Sequence, residues 1–385
     1  MSEPGRRLLL FTVSRLDEVL AKGNIWYVRH YEAYFERVDV AYLYGDSPRE
    51  LTQGATRLTS IGARGRFWRS LLLAPWHLYR FARREHPTYY LTADVVFSWW
   101  TALLLRWFLG AQVVLMPVSL PEEVYRNSRR SMSGVPIWLE RLFLKLSFAA
   151  AAKIIASKNG EAQVLWLSAE PRAATKLQVL PATVEEFPTR EFFVAAESAK
   201  TDRAMVADPV RLLYVGRLHP EKLTRGLIDL VARLRAMGIR AVLRIAGDGP
   251  DRPAMEADAS TRGVSDAVVW LGYLPNEQLA GEYRDADIFV STITGTALRE
   301  AGLCGLPIVA FDADWVKQLL RHEETALLVP VGDIAALASQ VARAVNDAAL
   351  RVKVARNFAA LARSRWSLAH VPSSLALAFS DLSRS

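Results

Sequence analysis

The chain has 385 residues, 51% hydrophobic and 23% charged, which excludes global disorder and, at about 150 residues per domain, points to two or three domains. Its one cysteine, Cys304, excludes an intrachain disulfide and thiolate zinc cages, and the six histidines show no ligand spacing, so no metal is expected. Formal charge is +8, split as 27 − 20 = +7 over residues 1–205 and 21 − 20 = +1 over 206–385, so the first half is expected to meet something acidic.

The run Leu8 to Val13 is too short for a signal-peptide core and reads instead as a strand. With the cysteine usage, this predicts a cytoplasmic protein. Residues Ile25 to Glu36 have helical periodicity, and Val38 to Leu43 is a second strand. Asp94 to Phe97, a helix around Thr101 to Leu109, and Val113 to Met116 form a further strand–helix–strand unit. The stretch 95–120 carries a single charge, Arg106, and matches the roughly 20 residues of a bilayer span. Gly110 and Pro117 break it where such a unit needs turns, so no transmembrane segment is predicted. Ile154 to Ala156 and Gln178 to Leu180 complete the half.

Residues 64–84 and 126–146 interleave arginines with Trp, Phe and Leu, among them Trp76, Arg80, Trp138, Arg141, Leu142 and Lys145. Two readings stand level: amphipathic helices lying on an anionic membrane surface, and ordinary domain helices with arginine-rich outer faces. No nucleic-acid-binding motif accompanies the charge, and nucleic acid is not an expected partner.

Residues 184–208 lack a period and read as a linker. Beyond them, apolar runs at Arg211–Gly216, Ala241–Ala246, Val268–Leu271, Ile288–Val290 and Ile308–Ala310 alternate with helix-length segments. That alternation predicts a parallel sheet covered by helices on both faces, an α/β fold. The tail 366–385 is expected to form a docking helix.

Three clusters follow the strands, where open α/β sheets bind ligands. Arg217 and Lys222, after Gly216, could grip a diphosphate, and a solvated basic loop explains them equally well. In Gly247-Asp248-Gly249-Pro250, the glycines allow close backbone approach and Asp248 is expected to cap the next helix. In Thr294-Gly-Thr-Ala-Leu-Arg-Glu300, a helix opening after a strand offers free N–H groups to an anion. Glu300 is a poor core residue, but its carboxylate can accept two hydroxyl hydrogens from a ribose. Cys304 reads as a small buried hydrophobe.

The order Tyr214-Val-Gly-Arg-Leu, Glu221-Lys222, Ile245-Ala-Gly-Asp-Gly-Pro250, Leu271-Gly-Tyr-Leu, Ala286-Asp-Ile-Phe-Val-Ser291 and Glu300-Ala-x-x-Cys-Gly-x-Pro-Ile-Val-Ala310 resembles the nucleotide-binding half of family-4 glycosyltransferases. The resemblance is strong over 210–345 and limited over 1–205 to the strand pattern and short pieces such as Lys22-Gly23-Asn24. It implies a GT-B architecture: two Rossmann-like domains with parallel sheets facing a central cleft. The acceptor domain would span 1–183 and the nucleotide-sugar domain 209–365. Carried over residue by residue, Arg217 and Lys222 would neutralise the donor diphosphate, with the N–H groups of Gly295, Thr296, Ala297 and Leu298. Glu300 would hold the ribose, and Gly272, Tyr273 and Leu274 would border the base. Gly23 and Asn24 would line the cleft from the first domain.

The resemblance also implies a UDP- or GDP-sugar donor as substrate, no cofactor, no metal, and transfer with retention. The acceptor would be a glycan or a lipid-linked molecule, placing the enzyme in the cytoplasm or at the inner face of the cell membrane. Two departures stand out. Where the family has a glutamate eight positions before Glu300, this chain has Thr292, or Thr294 if the segment is shortened. Either threonine would face the donor sugar. After Met116 the family often has a histidine, and here the chain reads Pro117-Val-Ser119, so no catalytic base is named. A GT-B scaffold that binds without transferring, and a nucleotide-sugar epimerase of the same fold, are the alternatives.

Overall fold

The computed structural model of the protein describes residues 6–21, 26–44, 50–60, 67–93, 99–117, 137–157, 161–187, 205–293, 295–313, 316–379 and 382. It divides into two compact units, Met1–Glu185 with Ala369–Ser385, and Glu186–Leu368.

The first unit is built on an eight-stranded sheet: β1 (Arg7–Arg15), β2 (Arg37–Tyr44), β3 (Glu50–Gln53), β4 (Thr56–Ser60), β5 (Tyr89–Thr92), β6 (Gln112–Leu115), β7 (Lys153–Ser157) and β8 (Leu177–Leu180). Their order is β3-β4-β2-β1-β5-β6-β7-β8, parallel except for the β3–β4 hairpin. Buried runs such as Leu8–Phe11 and Val113–Leu115 suit strands covered on both faces. Helices Phe67–Glu85, Trp99–Leu109 and Ile137–Ala150 supply the crossovers. Arg106 and Lys176 donate to the last carbonyls of helix Ile137–Ala150, placing cations at its negative end. At the amino ends of the strands, Arg57 bridges the buried carboxylates of Asp39 (2.6 Å) and Glu85 (3.1 Å). Helix Val371–Phe379 belongs to this unit, where the Phe379 ring meets Phe35 edge-on at 5.0 Å.

Several sequence expectations shift here. The strand expected at Asp94–Phe97, the third in the sequence reading, lies outside the described residues, and just before it the structure has β5 at Tyr89–Thr92. The segment read as one helix over 25–36 is a single turn, Trp26–Arg29, followed by a 3-10 turn, His30–Ala33. The β3–β4 hairpin had no apolar alternation to betray it, because Glu50, Thr52 and Gln53 face solvent. Among the described residues no helix is long and apolar enough to cross a membrane.

The second unit holds six parallel strands: β9 (Val210–Val215), β10 (Ala241–Ala246), β11 (Val268–Gly272), β12 (Ile288–Ser291), β13 (Ile308–Phe311) and β14 (Leu327–Val329). Their order is β11-β10-β9-β12-β13-β14. Helix Gly226–Ala236 buries Leu227, Ile228, Leu230, Val231 and Leu234, the stripe that its period predicts. Helix Ala348–Trp366 runs through the residue at which the tail was expected to begin. Its buried Arg351 donates to the carbonyls of Ala344 (2.6 Å) and Val345 (2.9 Å), closing helix Ile334–Asn346. Of the linker expected at 184–208, Val184–Glu186 is a 3-10 turn and Phe187 is buried, while 188–204 lies outside the described residues.

Candidate functional site

The strand order of the second sheet reverses between β9 and β12: β10 and β11 lie on one side, β13 and β14 on the other. Loops leaving two adjacent strands at such a point diverge and leave a crevice at their carboxyl ends. The loop after β9 carries Gly216 to Lys222, and the loop after β12 carries Thr292 to Leu298. The sequence-predicted phosphate residues therefore flank one switch point.

Backbone bonds knit the strand-end loops together. Gly216 N donates to Ala246 O (3.0 Å), Leu218 N to Asp248 O (3.0 Å), Asp251 N to Leu218 O (3.0 Å), and Gly247 N to Gly272 O (2.7 Å). The fit leaves no room for side chains on the glycines of this turn. A Cβ on Gly247, whose φ is +146°, would lie 1.9 Å from the Gly216 carbonyl oxygen, and one on Gly249 would lie 2.3 Å from that of Leu218. The structural role expected of Asp248 needs correcting. Asp248 accepts from Gly249 N (2.8 Å) in an exposed turn, and Asp251 occupies the cap position of helix Arg252–Thr261. Asp251 is buried and accepts from Thr224 Oγ1 (3.0 Å) and Arg225 Nε (2.8 Å), so it ties the β9 and β10 loops by side chain.

Arg217 is exposed and pairs with Glu221 at 2.7 Å. Lys222 ends the 3-10 turn Pro220–Lys222 and has no ion-pair partner among the described residues. Beneath them Tyr214 is fully buried; burial pushes its phenol up to about 12, and its hydroxyl faces Thr292. Thr292 is itself 1% exposed, and Thr294 lies outside the described residues.

Helix Thr296–Leu303 starts after Gly295 with no side-chain cap. Of the four N–H groups assigned to phosphate, that of Leu298 donates to Gly295 O at 3.2 Å in the first turn and is not free. Gly302 sets the helix close against helix Ala348–Trp366: a Cβ there would lie 2.6 Å from the Phe358 ring. Cys304 is buried.

Glu300 is 7% exposed, and burial pushes its carboxyl up to about 7. The Tyr283 hydroxyl, from helix Asn276–Asp285, lies 2.8 Å from Glu300 Oε2. Tyr283 escaped sequence reasoning; its place on the buried face with Ala280 is the only signal the sequence offers. Arg299, next to Glu300, was also missed. Its buried guanidinium bonds Glu186 at 3.3 Å and lies over the Trp366 ring at 5.5 Å. On the β11 side Gly272 turns with φ +65°, and Tyr273 is 49% exposed. The Tyr273 phenol is raised by burial and by the Glu300 charge. Gly23 and Asn24 lie outside the described residues. Among the described residues no group of three or more His, Cys, Asp or Glu side chains could hold a metal.

Residues 197–361 match the family model of glycosyl transferases group 1. That match falls on the unit that holds the switch point. The chain is 31% identical over 169 residues, 43% of its length and 44% of the relative's, to an alpha-D-kanosaminyltransferase of Streptomyces kanamyceticus. It spans about half the length of the curated relatives it matches. Two solved structures resemble it along nearly its whole length. Sucrose-phosphate synthase of Thermosynechococcus elongatus has a TM-score of 0.73 at 17% identity, covering 98% of this chain and 99% of that one. HepE of Anabaena, solved with UDP and glucose, has a TM-score of 0.69 at 17% identity, covering 98% and 99%. At such identities the likeness fixes the fold. It is GT-B, with two Rossmann-like α/β units.

Proposed function

We propose that the chain is a family-4 glycosyltransferase that moves a sugar from a UDP- or GDP-sugar to a glycan or lipid-linked acceptor, with retention of anomeric configuration. The observation that carries this reading is the convergence at the β9/β12 switch point of Arg217, Lys222, an uncapped helix N-terminus and a buried carboxylate. Each suits one part of a nucleoside diphosphate. Arg217 and Lys222 supply positive charge for the diphosphate, with the N–H groups of Gly295 to Ala297. Charge grows on the diphosphate as the sugar departs, so these donors favour the transition state over the bound donor. Glu300 accepts from the ribose hydroxyls, Gly272 to Leu274 border the base, and Thr292 or Thr294 faces the sugar. That a solved structure of the same fold holds UDP supports the assignment.

Purified protein incubated with UDP-glucose, UDP-N-acetylglucosamine and GDP-mannose is expected to release nucleoside diphosphate from one of them, with the α-anomer kept in any product. Tight binding without release, with any acceptor, would favour a scaffold that binds and does not transfer. The buried Thr292 in place of the family's glutamate is the observation behind that second reading.

For the acceptor side, we propose an anionic membrane surface as partner, placing the protein at the inner face of the cell membrane. Among the described residues, large apolar side chains on three helices of the first unit face solvent, including Leu72 (69%), Trp76 (58%), Trp107 (74%), Phe108 (70%) and Trp138 (68%). Tyr79 joins Trp76 to Phe108 through ring contacts of 6.3 Å each. Arg80, Arg83, Arg84, Arg141 and Lys145 are exposed on the same helices, while Glu85 is buried. Aromatic rings flanked by cations suit an anionic interface. The protein is expected to sediment with phosphatidylglycerol vesicles and not with phosphatidylcholine vesicles, and Trp76→Ser with Trp107→Ser is expected to release it. Equal sedimentation of wild type and variant would contradict the assignment.

A further inference from the structure

Glu300 is placed for a task beyond accepting hydroxyl hydrogens. The Tyr283 hydroxyl is 2.8 Å from Glu300 Oε2 and 3.1 Å from the carbonyl oxygen of Ala297, in the first turn of the same helix. A phenol carries one hydrogen, and a carbonyl only accepts. If Glu300 is ionised, both of these neighbours of the phenol oxygen are acceptors, and one contact has no hydrogen in it. If Glu300 is protonated, the chain closes: Glu300 donates to Tyr283, and Tyr283 donates to Ala297. This geometry fits the neutral acid.

The surroundings agree. Burial is the largest influence on Glu300 and raises it to about 7. Two groups favour the charged form: the Tyr283 hydroxyl, when its hydrogen points to Glu300 rather than to Ala297, and Arg299 on the same helix, which is engaged by Glu186 at 3.3 Å. Among the described residues, the Tyr273 phenol, itself held above its ordinary value, and the Cys304 thiol also face the pair. Helix Ala348–Trp366 meets this helix through the Phe358 ring at Gly302.

We propose that Tyr283 is the positioning residue of Glu300 and that the pair couples nucleotide binding to the loss of a proton. An arriving ribose diol donates two hydrogens to the Glu300 carboxylate, the Glu300 proton leaves to solvent, and the Tyr283 hydrogen turns from Ala297 to Glu300. The inference rests on the donor-site reading and adds to it a pH dependence of loading and a residue that controls it.

The test is titration calorimetry at pH 6.5 in two buffers of different ionisation enthalpy, with UDP and 2′,3′-dideoxy-UDP, or the guanosine pair if guanine is the base. The two ligands share their diphosphate chemistry and differ in the diol. Wild type is expected to release about half a proton or more per UDP beyond what the dideoxy compound releases. In Tyr283→Phe, UDP is expected to bind about tenfold more weakly, while dideoxy-UDP binds as to wild type. A residue that merely supports the fold would weaken both ligands alike. Should Tyr283→Phe not fold, the wild-type difference between the two ligands decides, and Glu300→Gln is expected to abolish it. Preference for UDP over its dideoxy analogue with equal proton release overturns this inference and leaves the donor site standing. Binding of neither nucleotide overturns both.

Discussion

Gly247 lies against the Gly216 carbonyl so closely that even a methyl group would overlap it, 1.9 Å from the oxygen. The two residues directly follow neighbouring strands, β10 and β9, and their packing fixes where the Arg217 loop leaves the sheet. Gly247→Ala is expected to destabilise the protein by more than about 1 kcal/mol and to weaken nucleotide binding with it. Gly263→Ala, with nothing within 4 Å of the added Cβ but a φ of +66°, is the control. It strains the backbone away from the site and is expected to lower the urea midpoint while leaving affinity unchanged.

Arg217 and Glu221 form an exposed pair at 2.7 Å, so the glutamate competes with any diphosphate for the guanidinium. An exposed pair of this spacing contributes only about 0.3–0.5 kcal/mol to stability. Glu221→Gln is therefore expected to raise affinity for the nucleoside diphosphate a few-fold at low salt without moving the thermal midpoint. Arg217→Ala is expected to lower affinity by at least about tenfold, as for loss of a charged hydrogen bond. Fluorescence or calorimetric titration of both variants checks the opposite signs.

The buried Glu300 predicts a stability profile. Its carboxyl is raised from 4.5 in the unfolded chain to about 7 in the native state, so the native state binds the proton more tightly. That stabilisation is complete below about pH 4.5 and is lost as pH rises through about 7, a change of roughly 3 kcal/mol. Glu300→Gln cannot ionise. Urea midpoints of the variant are expected to fall less than those of wild type between pH 5 and 8, at the cost of nucleotide binding. Parallel profiles would contradict the raised carboxyl.

At the amino ends of the first sheet's strands, Arg57 holds Asp39 at 2.6 Å and Glu85 at 3.1 Å. Arg57→Leu leaves two buried carboxylates short of a cation and is expected to cost about 3–5 kcal/mol. The loss is expected to shrink at acid pH, where Asp39, raised by burial above the ordinary carboxylate range, takes up a proton. Chemical denaturation at pH 4.5 and pH 8 measures both.

The second unit was legible because its signals are local. Runs such as Leu212–Tyr214 are buried on both faces and lead within two residues to Gly216 in the turn, so apolarity and punctuation mark the same strand. Arg217, Lys222 and the helix after Gly295 are read from the chain for the same reason. The first unit hides its strands: Tyr89–Thr92 is buried yet rich in hydroxyls, and the β3 edge is polar. At the site, what sequence reading missed is what comes from afar. Tyr283 reaches Glu300 from another helix, and Glu186 meets Arg299 from the 3-10 turn Val184–Glu186, far away in the chain. Asp251 was not singled out from the sequence, because only the fold shows that its carboxylate turns inward to Thr224.

The most direct test of the donor site is a metal-free thermal-shift panel of UDP, GDP, ADP and dTDP on wild type, Arg217→Ala and Glu300→Ala. A ligand at about 100 times its dissociation constant stabilises the native state by roughly 2.7 kcal/mol, a readable shift for a cooperative unit. One nucleotide is expected to stabilise wild type and neither variant, which identifies the base along with the site. A folded wild type that none of the four stabilises, or variants that respond as wild type does, would contradict the placement of the donor at the β9/β12 switch point.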